Sequence, residues 1–135
     1  MSTKRIEVIR KSGGETKILI DNKDIKDVSE YSAGQLIAAG ALLCLTGSFP
    51  DELTKLNPSA KYGEIRSSAS YKFAKFDETR YSVDSMSLNL ELEIPDEFLR
   101  EHEIVAKTHE ERGCLWTRSL KKGIKINYSF SRLTN

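Results

Sequence analysis

Residues 35–46 read QLIAAGALLCLT, and apolar side chains of this run fall on nearly every side of a helix. A helix that is apolar all round is a buried helix. Ser29 or Ser32 is placed to cap its start, and residues 47–50, which include a glycine and a proline, predict that it ends or kinks there. A short second helix is predicted for residues 51–56. The run therefore predicts a central helix that other elements surround.

Segments that alternate between apolar and polar residues lie on both sides of this helix. Before it, residues 6–8 and 17–21 flank the turn-forming Ser12-Gly13-Gly14 and predict a hairpin. After it, residues 68–73 and 86–94 predict two long strands. The second of these has five consecutive matches to a period of two, which makes it the clearest strand in the chain.

The last third of the chain adds two helices and a strand. A helix is predicted from Pro95 to the stop signal Gly113, because proline and acidic residues suit the first turn. Residues 114–121 predict a short helix, and residues 124–130 alternate as a final strand. The order β-β-α-(α)-β-β-α-α-β predicts the α+β class with an antiparallel-rich sheet.

Length, composition and charge narrow the class of protein. The chain has 135 residues, which predicts a single domain over residues 1–135, and its 39% hydrophobic and 30% charged content fits an ordered protein. A net charge of +1 gives no reason to expect nucleic acid or a membrane surface as partner. Residues 1–5 lack the apolar core of a signal peptide, and the run 36–45 is too short to span a bilayer. We therefore expect a cytoplasmic protein.

The residue pattern gives no support for a metal or a bound cofactor. His102 and His109 are spaced to share one face of the predicted helix. The chain contains neither the H-E-x-x-H nor the C-x-x-C motif that would mark a metal site. We expect no metal and no resident cofactor.

Two cysteines, Cys44 and Cys114, carry the strongest chemical signal. Structural disulfides are rare in the cytoplasm, so both are expected to be either reactive thiols or buried ones. Two thiols that meet in the fold can cycle between dithiol and disulfide. Two that do not meet are small, inert core residues.

The surroundings of both cysteines resemble the OsmC/Ohr family of thiol-dependent hydroperoxide reductases. Residues 32–44, SAGQLIAAGALLC, are similar to the family pattern [NT]-P-E-[EQ]-L-[LF]-A-A-[AG]-x-x-x-C. Residues 114–120, CLWTRSL, are similar to the pattern C-P-[VY]-S-x-[AS]-[LT] that precedes the family's final strand. The resemblance covers about residues 4–132.

The resemblance implies an intertwined homodimer whose antiparallel sheets wrap around central helices. It also implies reduction of organic hydroperoxides, in which Cys44 attacks the peroxide and becomes a sulfenic acid. Cys114 then condenses with it to a disulfide, and a resolving thiol of this kind protects sulfenic acid from irreversible oxidation. An external dithiol, often a lipoyl group in this family, regenerates the pair. The implied partners are a second copy of the chain, the hydroperoxide and the dithiol.

The sequence departs from the family pattern at positions that matter for activation. The family's glutamate corresponds to Gly34. In the family this glutamate pairs with an arginine that lowers the pKa of the first cysteine. Arg10 corresponds best to that arginine, with Lys11 and Arg5 as alternatives. The missing carboxylate leaves a second hypothesis, a catalytically weakened OsmC-like protein that binds an apolar small molecule or partner.

Apolar residues around the first cysteine bear on the choice of peroxide. Leu42, Leu43, Leu45 and Phe49 are expected to wall the pocket and to favour organic peroxides by burying the alkyl group. Trp116 is either a residue at the mouth of this pocket or a core or interface aromatic.

Overall fold

The computed structural model describes residues 4–11 and 15–132, so the turn predicted at residues 12–14 lies outside the described residues. Within these ranges the chain forms five strands, three α-helices and short 3-10 helices at Val28–Glu30 and Asp96–Phe98. The elements are β1 (Lys4–Arg10), β2 (Thr16–Ile20), β3 (Lys23–Asp24), α1 (Ala33–Leu56), β4 (Ile65–Lys75), β5 (Tyr81–Leu92), α2 (Leu99–Arg112) and α3 (Leu115–Lys122).

The strands form one antiparallel sheet in the order β3-β2-β1-β4-β5. The predicted hairpin is present as the β1–β2 pair. The two long predicted strands are β4 and β5, which pair from Ile65 opposite Leu92 to Lys75 opposite Tyr81. The α+β class with an antiparallel sheet is therefore confirmed.

Helix α1 packs its sheet-facing side onto β1 and β4. Ala38 and Leu42 are buried with Val8, Ala69 and other apolar residues of the two strands in one core cluster. A buried polar contact accompanies this packing, since Thr46 Oγ1 lies 2.9 Å from Ser67 Oγ. The two hydroxyls satisfy each other and fix which side of α1 faces the sheet.

The predicted end of this helix at residues 47–50 is wrong, and residues 51–56 are not a separate helix, because α1 continues through Pro50 to Leu56. A proline inside a helix costs about 3 kcal/mol. Phe49 and Leu53, on either side of it, are fully buried in a second core cluster, and each such burial contributes about 1.5–3 kcal/mol. Burial of these two neighbours therefore offsets the proline.

The start of α1 agrees with one of the two predicted caps. Ser32 accepts a hydrogen bond from the Gln35 backbone N–H, and Gln35 Oε1 accepts one from the Ser32 N–H. This reciprocal capping box satisfies two backbone donors at once and fixes the helix start.

The length of α1 corrects the expectation that its apolar run is too short for a bilayer. By length and composition alone, this 24-residue helix could cross a membrane. The core helix of a soluble protein passes the same test. Here Ala38, Leu42 and Leu53 are completely buried against the rest of the chain, as in such a core helix.

The predicted helix between Pro95 and Gly113 is present as a 3-10 turn followed by α2. Phe98 and Val105 pack from this segment onto Phe49 and Leu53 of α1. The helix stops at Gly113, whose φ of 69° lies in the region that favours glycine. The predicted short helix is α3, one residue later than expected at each end.

The predicted final strand is wrong for the protomer. The described residues after α3, 123–132, form no strand and no helix. The alternating apolar side chains of this tail are exposed, from 63% at Ile124 to 88% at Phe130. Alternation favours a strand only where the segment pairs with a sheet edge, and within the described chain this segment pairs with none of the strands.

Candidate active site

The face of α1 opposite the sheet carries the first thiol. Successive helix residues are rotated by about 100°, so residues two apart point in nearly opposite directions. Since Leu42 and Thr46 face the sheet, Cys44 between them faces away from it. Gly40 and Ser48 share the side of Cys44 because they lie one turn before and after it.

Helix α3 docks on this face through Trp116. The indole Nε1 donates a hydrogen bond to the Ile37 carbonyl oxygen at 3.1 Å. The ring also lies against Gly40, where an added β-carbon would come within 2.6 Å of indole Cζ2. A residue without a side chain is therefore required at position 40 for the ring to lie there.

This docking brings the two predicted thiols together. Cys114 is the N-cap residue of α3, and its side chain is hydrogen-bonded to that of Cys44. Both are free cysteines, Cys114 buried and Cys44 partly buried. The site therefore holds a contacting dithiol, which is the reduced half of a disulfide cycle.

Cys114 lies in surroundings that favour its thiolate. The Thr117 backbone N–H donates to Cys114 Sγ as part of a capping box, and Thr117 Oγ1 lies 3.5 Å from the same sulfur. Burial raises the pKa of Cys114, but hydrogen bonds from Cys44, Thr117 and the Trp116 backbone outweigh it. The net effect lowers the pKa of Cys114 below its ordinary value of 9.0.

Cys44 lies in surroundings that favour the protonated thiol. Burial raises its pKa, and donation of its S–H to Cys114 raises it further. Backbone N–H groups of Trp116 and Leu115 act in the opposite direction without reversing the shift. The two thiols therefore differ in acidity. Cys44 donates the hydrogen bond between them, and Cys114, the more acidic thiol, accepts it.

The turn before Cys114 depends on a second glycine. Gly113 has φ 69° and ψ −175°, a conformation that is almost confined to glycine. An added β-carbon there would lie 2.5 Å from Thr117 Oγ1. Gly113 thus gives the threonine room to close over the Cys114 sulfur.

Two adjoining clefts lie beside the thiol pair. The smaller, of about 230 Å³, is lined by Leu45, Leu88, His109, Glu110, Gly113, Cys114, Thr117 and Lys121. The larger, of about 440 Å³, shares Leu88, Thr117 and Lys121 with it and continues along apolar residues of β5 and α3. A groove thus leads from the Cys114 residue onto an apolar surface.

The predicted apolar wall is only partly at this site. Leu45 lines the smaller cleft. Leu42 is buried beneath the sheet, and Phe49 lies in the second core cluster. Leu43 is 44% exposed on a different face of α1. Beside Leu45, the apolar side chains that line the two clefts are Ile37 of α1, Leu120 of α3 and Val83, Met86 and Leu88 of β5.

A polar cluster ties α1 to α2 at the edge of the smaller cleft. His109 Nε2 lies 3.0 Å from Ser48 Oγ. Its Nδ1 lies 3.1 Å from the Val105 carbonyl oxygen and 3.4 Å from Glu52 Oε2. Since both neighbours of Nδ1 are acceptors, Nδ1 carries a proton. His102 and His109, predicted on one face, both contact the ring of Phe49.

The candidate basic residues lie elsewhere in the protomer. Arg10 and Lys11, at the end of β1, line a separate cleft with Tyr62 that contains neither thiol. Arg5 pairs with Glu7 at 2.9 Å. The protomer therefore does not place Arg10 in the cleft beside the thiols.

The position of the family glutamate is filled by aromatic rings. A β-carbon on Gly34 would lie 2.9 Å from Phe73 Cζ and 3.1 Å from Tyr71 Cε2. Gly34 and Tyr71 are buried, and the two rings meet edge to face with centroids 5.4 Å apart. The space that a carboxylate side chain would need is thus occupied.

Two residues of the site were not assigned these roles from sequence. Thr117 follows Cys114 by three residues, the spacing of a capping box, and this spacing is the signal that marks it. The hydrogen bond of Trp116 to a carbonyl oxygen of α1 has no local sequence signal, because it joins residues far apart in the chain.

Comparison with known proteins supports the fold. No family model matches the sequence, and no curated protein matches it. The structure is similar to that of an OsmC-like hydroperoxide resistance protein from Jannaschia sp. CCS1, with a TM-score of 0.65 and 13% sequence identity. The similarity covers 98% of this chain and 95% of that chain. The chain therefore has the OsmC-like α+β fold, and the resemblance around the cysteines is confirmed at the level of the fold.

Proposed function

We propose that the chain reduces organic hydroperoxides through a disulfide cycle of Cys44 and Cys114. The hydrogen bond between the two side chains carries this proposal, because it puts the sulfurs close enough for one to resolve the other. The structural neighbour is described as a hydroperoxide resistance protein, which supports the same kind of substrate.

The cycle uses the ordinary chemistry of a thiol pair. One thiolate attacks the terminal peroxide oxygen, the O–O bond breaks, and the alcohol leaves after taking a proton. The resulting sulfenic acid condenses with the second thiol to give a disulfide and water. An external dithiol then reduces the disulfide by exchange, so no resident cofactor or metal is needed.

The groove supports organic hydroperoxides as the substrate class. Its larger part is walled by Ile37, Met86, Leu88 and Leu120. Burial of apolar surface contributes about 25 cal/mol per Å², so an alkyl or aryl group gains affinity there that hydrogen peroxide cannot gain.

We further propose that the working form is an intertwined homodimer. Leu36 and Leu43, exposed by 43% and 44%, leave one face of α1 uncovered by the protomer. The tail carries an alternating apolar pattern, and β5 is at the edge of the sheet. A tail that adds to the sheet of a second copy pairs that edge and buries the apolar side chains. A role for Arg10 at the thiols requires this second copy.

A cycle closed by a dithiol suits a reducing compartment, and we therefore propose a cytoplasmic location. The proposed partners are the second copy, the hydroperoxide and the dithiol.

Turnover of cumene hydroperoxide with dihydrolipoamide tests the proposed activity. Wild type is expected to consume the peroxide, while Cys44→Ser and Cys114→Ser each lose multiple turnover. Ser87→Ala, exposed on β5 away from the thiols, serves as the control and keeps the wild-type rate. Turnover in Cys44→Ser and Cys114→Ser at the wild-type rate would contradict the proposal.

The filled space at Gly34 favours a second candidate, a binding protein without turnover. With no carboxylate there and Arg10 in another cleft, the family's activation is absent from the protomer. Such a protein would take up an apolar probe in the groove between α3 and β5 and leave hydroperoxide intact. Uptake of the probe together with zero peroxide consumption selects this candidate.

A further inference from the structure

We propose that Thr117 is the positioning residue of the resolving step and holds the Cys114 sulfur directed at Cys44. The proposal rests on the proposed function, with Cys44 as the thiol that attacks the hydroperoxide and Cys114 as the thiol that resolves the sulfenic acid. Cys44 is the more exposed of the two, while Cys114 is only 5% exposed. A thiol buried to this extent reaches its target readily only if its side chain already points there.

Thr117 contacts Cys114 both at its backbone and at its sulfur. Its Oγ1 accepts a hydrogen bond from the Cys114 N–H at 2.9 Å. Its hydroxyl lies 3.2 Å from the Cys114 carbonyl oxygen and 3.5 Å from Sγ, so the proton can go to either. The Thr117 backbone N–H also donates to Sγ. A single torsion, χ1, places the sulfur of a cysteine relative to its backbone, so contacts at both ends hold that torsion.

The Cys114 carbonyl oxygen leaves the threonine proton free to turn to the sulfur. This oxygen also accepts the Arg118 backbone N–H at 2.8 Å, which is the first hydrogen bond of α3. The carbonyl therefore keeps a partner when the Thr117 hydroxyl donates to Sγ, and no acceptor is left unsatisfied by the change.

Two neighbouring residues of α3 have separate tasks. Trp116 docks the helix on α1 through its hydrogen bond to the Ile37 carbonyl oxygen and its contact with Gly40. Docking fixes where the backbone of α3 lies, but it does not set the direction of the Cys114 side chain. Thr117 sets that direction, and the outcome is the hydrogen bond between the two thiols. Only a short approach then separates the sulfurs from a disulfide.

The resolving step needs this direction because it is a displacement at sulfur. The Cys114 sulfur attacks the sulfur of the Cys44 sulfenic acid, and the S–S bond forms as the S–O bond breaks. The oxygen leaves as hydroxide and takes up the proton that the Cys114 thiol gives away, so that water is released. No further oxidant or reductant enters this step.

A second hydroperoxide competes with the resolving step. It oxidises a sulfenic acid that has not yet condensed to a sulfinic acid, which a dithiol does not reduce. The fate of Cys44 is therefore set by how fast Cys114 reaches it. A loss of the Thr117 contacts should slow condensation and leave Cys44 open to this second oxidation.

A matched set of threonine variants tests the role. Thr117→Val removes the hydroxyl at nearly constant volume, and we expect disulfide formation after one equivalent of cumene hydroperoxide to slow by about tenfold. With excess hydroperoxide, sulfinic acid should accumulate on Cys44. Thr117→Ser keeps the hydroxyl and should restore both properties. Thr108→Val makes the same change in α2, where the hydroxyl donates to the Ile104 carbonyl oxygen, and should behave as wild type.

Two further measurements separate positioning of the sulfur from support of the helix. Trp116 is the single tryptophan of the chain, so its emission maximum reports whether α3 stays docked, and Thr117→Val should keep the wild-type value. Sulfenic acid formation at Cys44, measured in Cys114→Ser, should be the same with and without Thr117→Val, because the threonine acts only on the second step.

Three results would overturn the positioning role while wild-type turnover leaves the proposed function standing. These are disulfide formation in Thr117→Val at the wild-type rate, no recovery in Thr117→Ser, and a shifted Trp116 emission in Thr117→Val, which would show that the residue only supports α3. A wild type that consumes no hydroperoxide overturns the proposed function, and the role of Thr117 with it.

Discussion

The indole of Trp116 rests directly on Gly40, with room for no side chain between them: an added β-carbon would lie 2.6 Å from indole Cζ2. The same ring is anchored by its hydrogen bond to the Ile37 carbonyl oxygen. These contacts dock α3 so that Cys114 meets Cys44. The geometry of the thiol pair thus depends on a glycine that has no chemistry of its own.

The first prediction concerns this glycine. Gly40→Ala gains about 1 kcal/mol in helix propensity but displaces the indole and moves Cys114 away from Cys44. We expect disulfide formation with equimolar cumene hydroperoxide to slow by about tenfold or more, because small misplacements of reacting groups are costly. Gly47→Ala is the control, since a β-carbon there meets nothing within 4 Å. Equal rates in the two variants would show that the docking does not set the thiol geometry.

The second prediction concerns the turn before Cys114. Gly113→Ala forces a side chain into a conformation reserved for glycine, which costs about 1–3 kcal/mol in the free energy of unfolding. It also pushes Thr117 Oγ1 aside, and we expect the Cys114 thiolate to titrate at higher pH. Gly123 also has a positive φ, of 84°, but there is open space where a β-carbon would lie. Gly123→Ala should therefore lose stability through backbone strain and leave the Cys114 titration unchanged. Urea unfolding and thiolate absorbance measure the two effects; an unshifted titration in Gly113→Ala contradicts the account.

The third prediction concerns the missing carboxylate. Gly34→Glu places its side chain against Phe73 and Tyr71, and we expect a loss of about 1–3 kcal/mol in stability from overpacking. Adding Phe73→Ala makes room, so the double variant should show a favourable coupling of about 1 kcal/mol in urea unfolding. If the stability losses of Gly34→Glu and Phe73→Ala simply add in the double variant, Phe73 does not occupy the space that the introduced glutamate side chain needs.

The fourth prediction concerns assembly. Wild type is expected to sediment as a dimer at micromolar concentration, with the tail of each copy seated on the other. Ile126→Asp puts a charge on the apolar side of the tail and is expected to weaken the dimer by about tenfold or more, which is about 1.4 kcal/mol. Asn127→Asp, on the alternate side, adds the same charge and should leave the dimer intact. A folded wild-type monomer at this concentration contradicts the proposal.

The sequence predicted those parts of the fold whose signal is local. The period of two in residues 86–94 predicts a strand with one face packed on the core, and Met86, Leu88, Leu90 and Leu92 of β5 are partly buried against the two core clusters. Pro50 misled the prediction because its local cost is opposed by the burial of Phe49 and Leu53, which depends on elements distant in sequence. The tail misled the prediction for a related reason. Alternation indicates a strand, but it does not show which sheet edge that strand pairs with.

The candidate active site shows the same division between features with a local sequence signal and features that depend on residues distant in sequence. The two cysteines and their contact were accessible from the sequence through the resemblance. Their relative acidity was not, because it depends on which helix end faces which sulfur and on the hydroxyl of Thr117. The contact of Trp116 with Gly40 joins α1 to α3 and has no pattern within either segment.

Hydroperoxide is expected to join Cys44 to Cys114 in a disulfide. The most direct test of this link is titration of the fully reduced protein with cumene hydroperoxide, followed by peptide mass spectrometry. We expect each thiol pair to consume one hydroperoxide. The Cys44 and Cys114 peptides should become linked with the loss of two hydrogen atoms, and dihydrolipoamide should reverse the link. Unconsumed hydroperoxide, or sulfinic acid on one cysteine while the other remains a free thiol, would contradict this expectation.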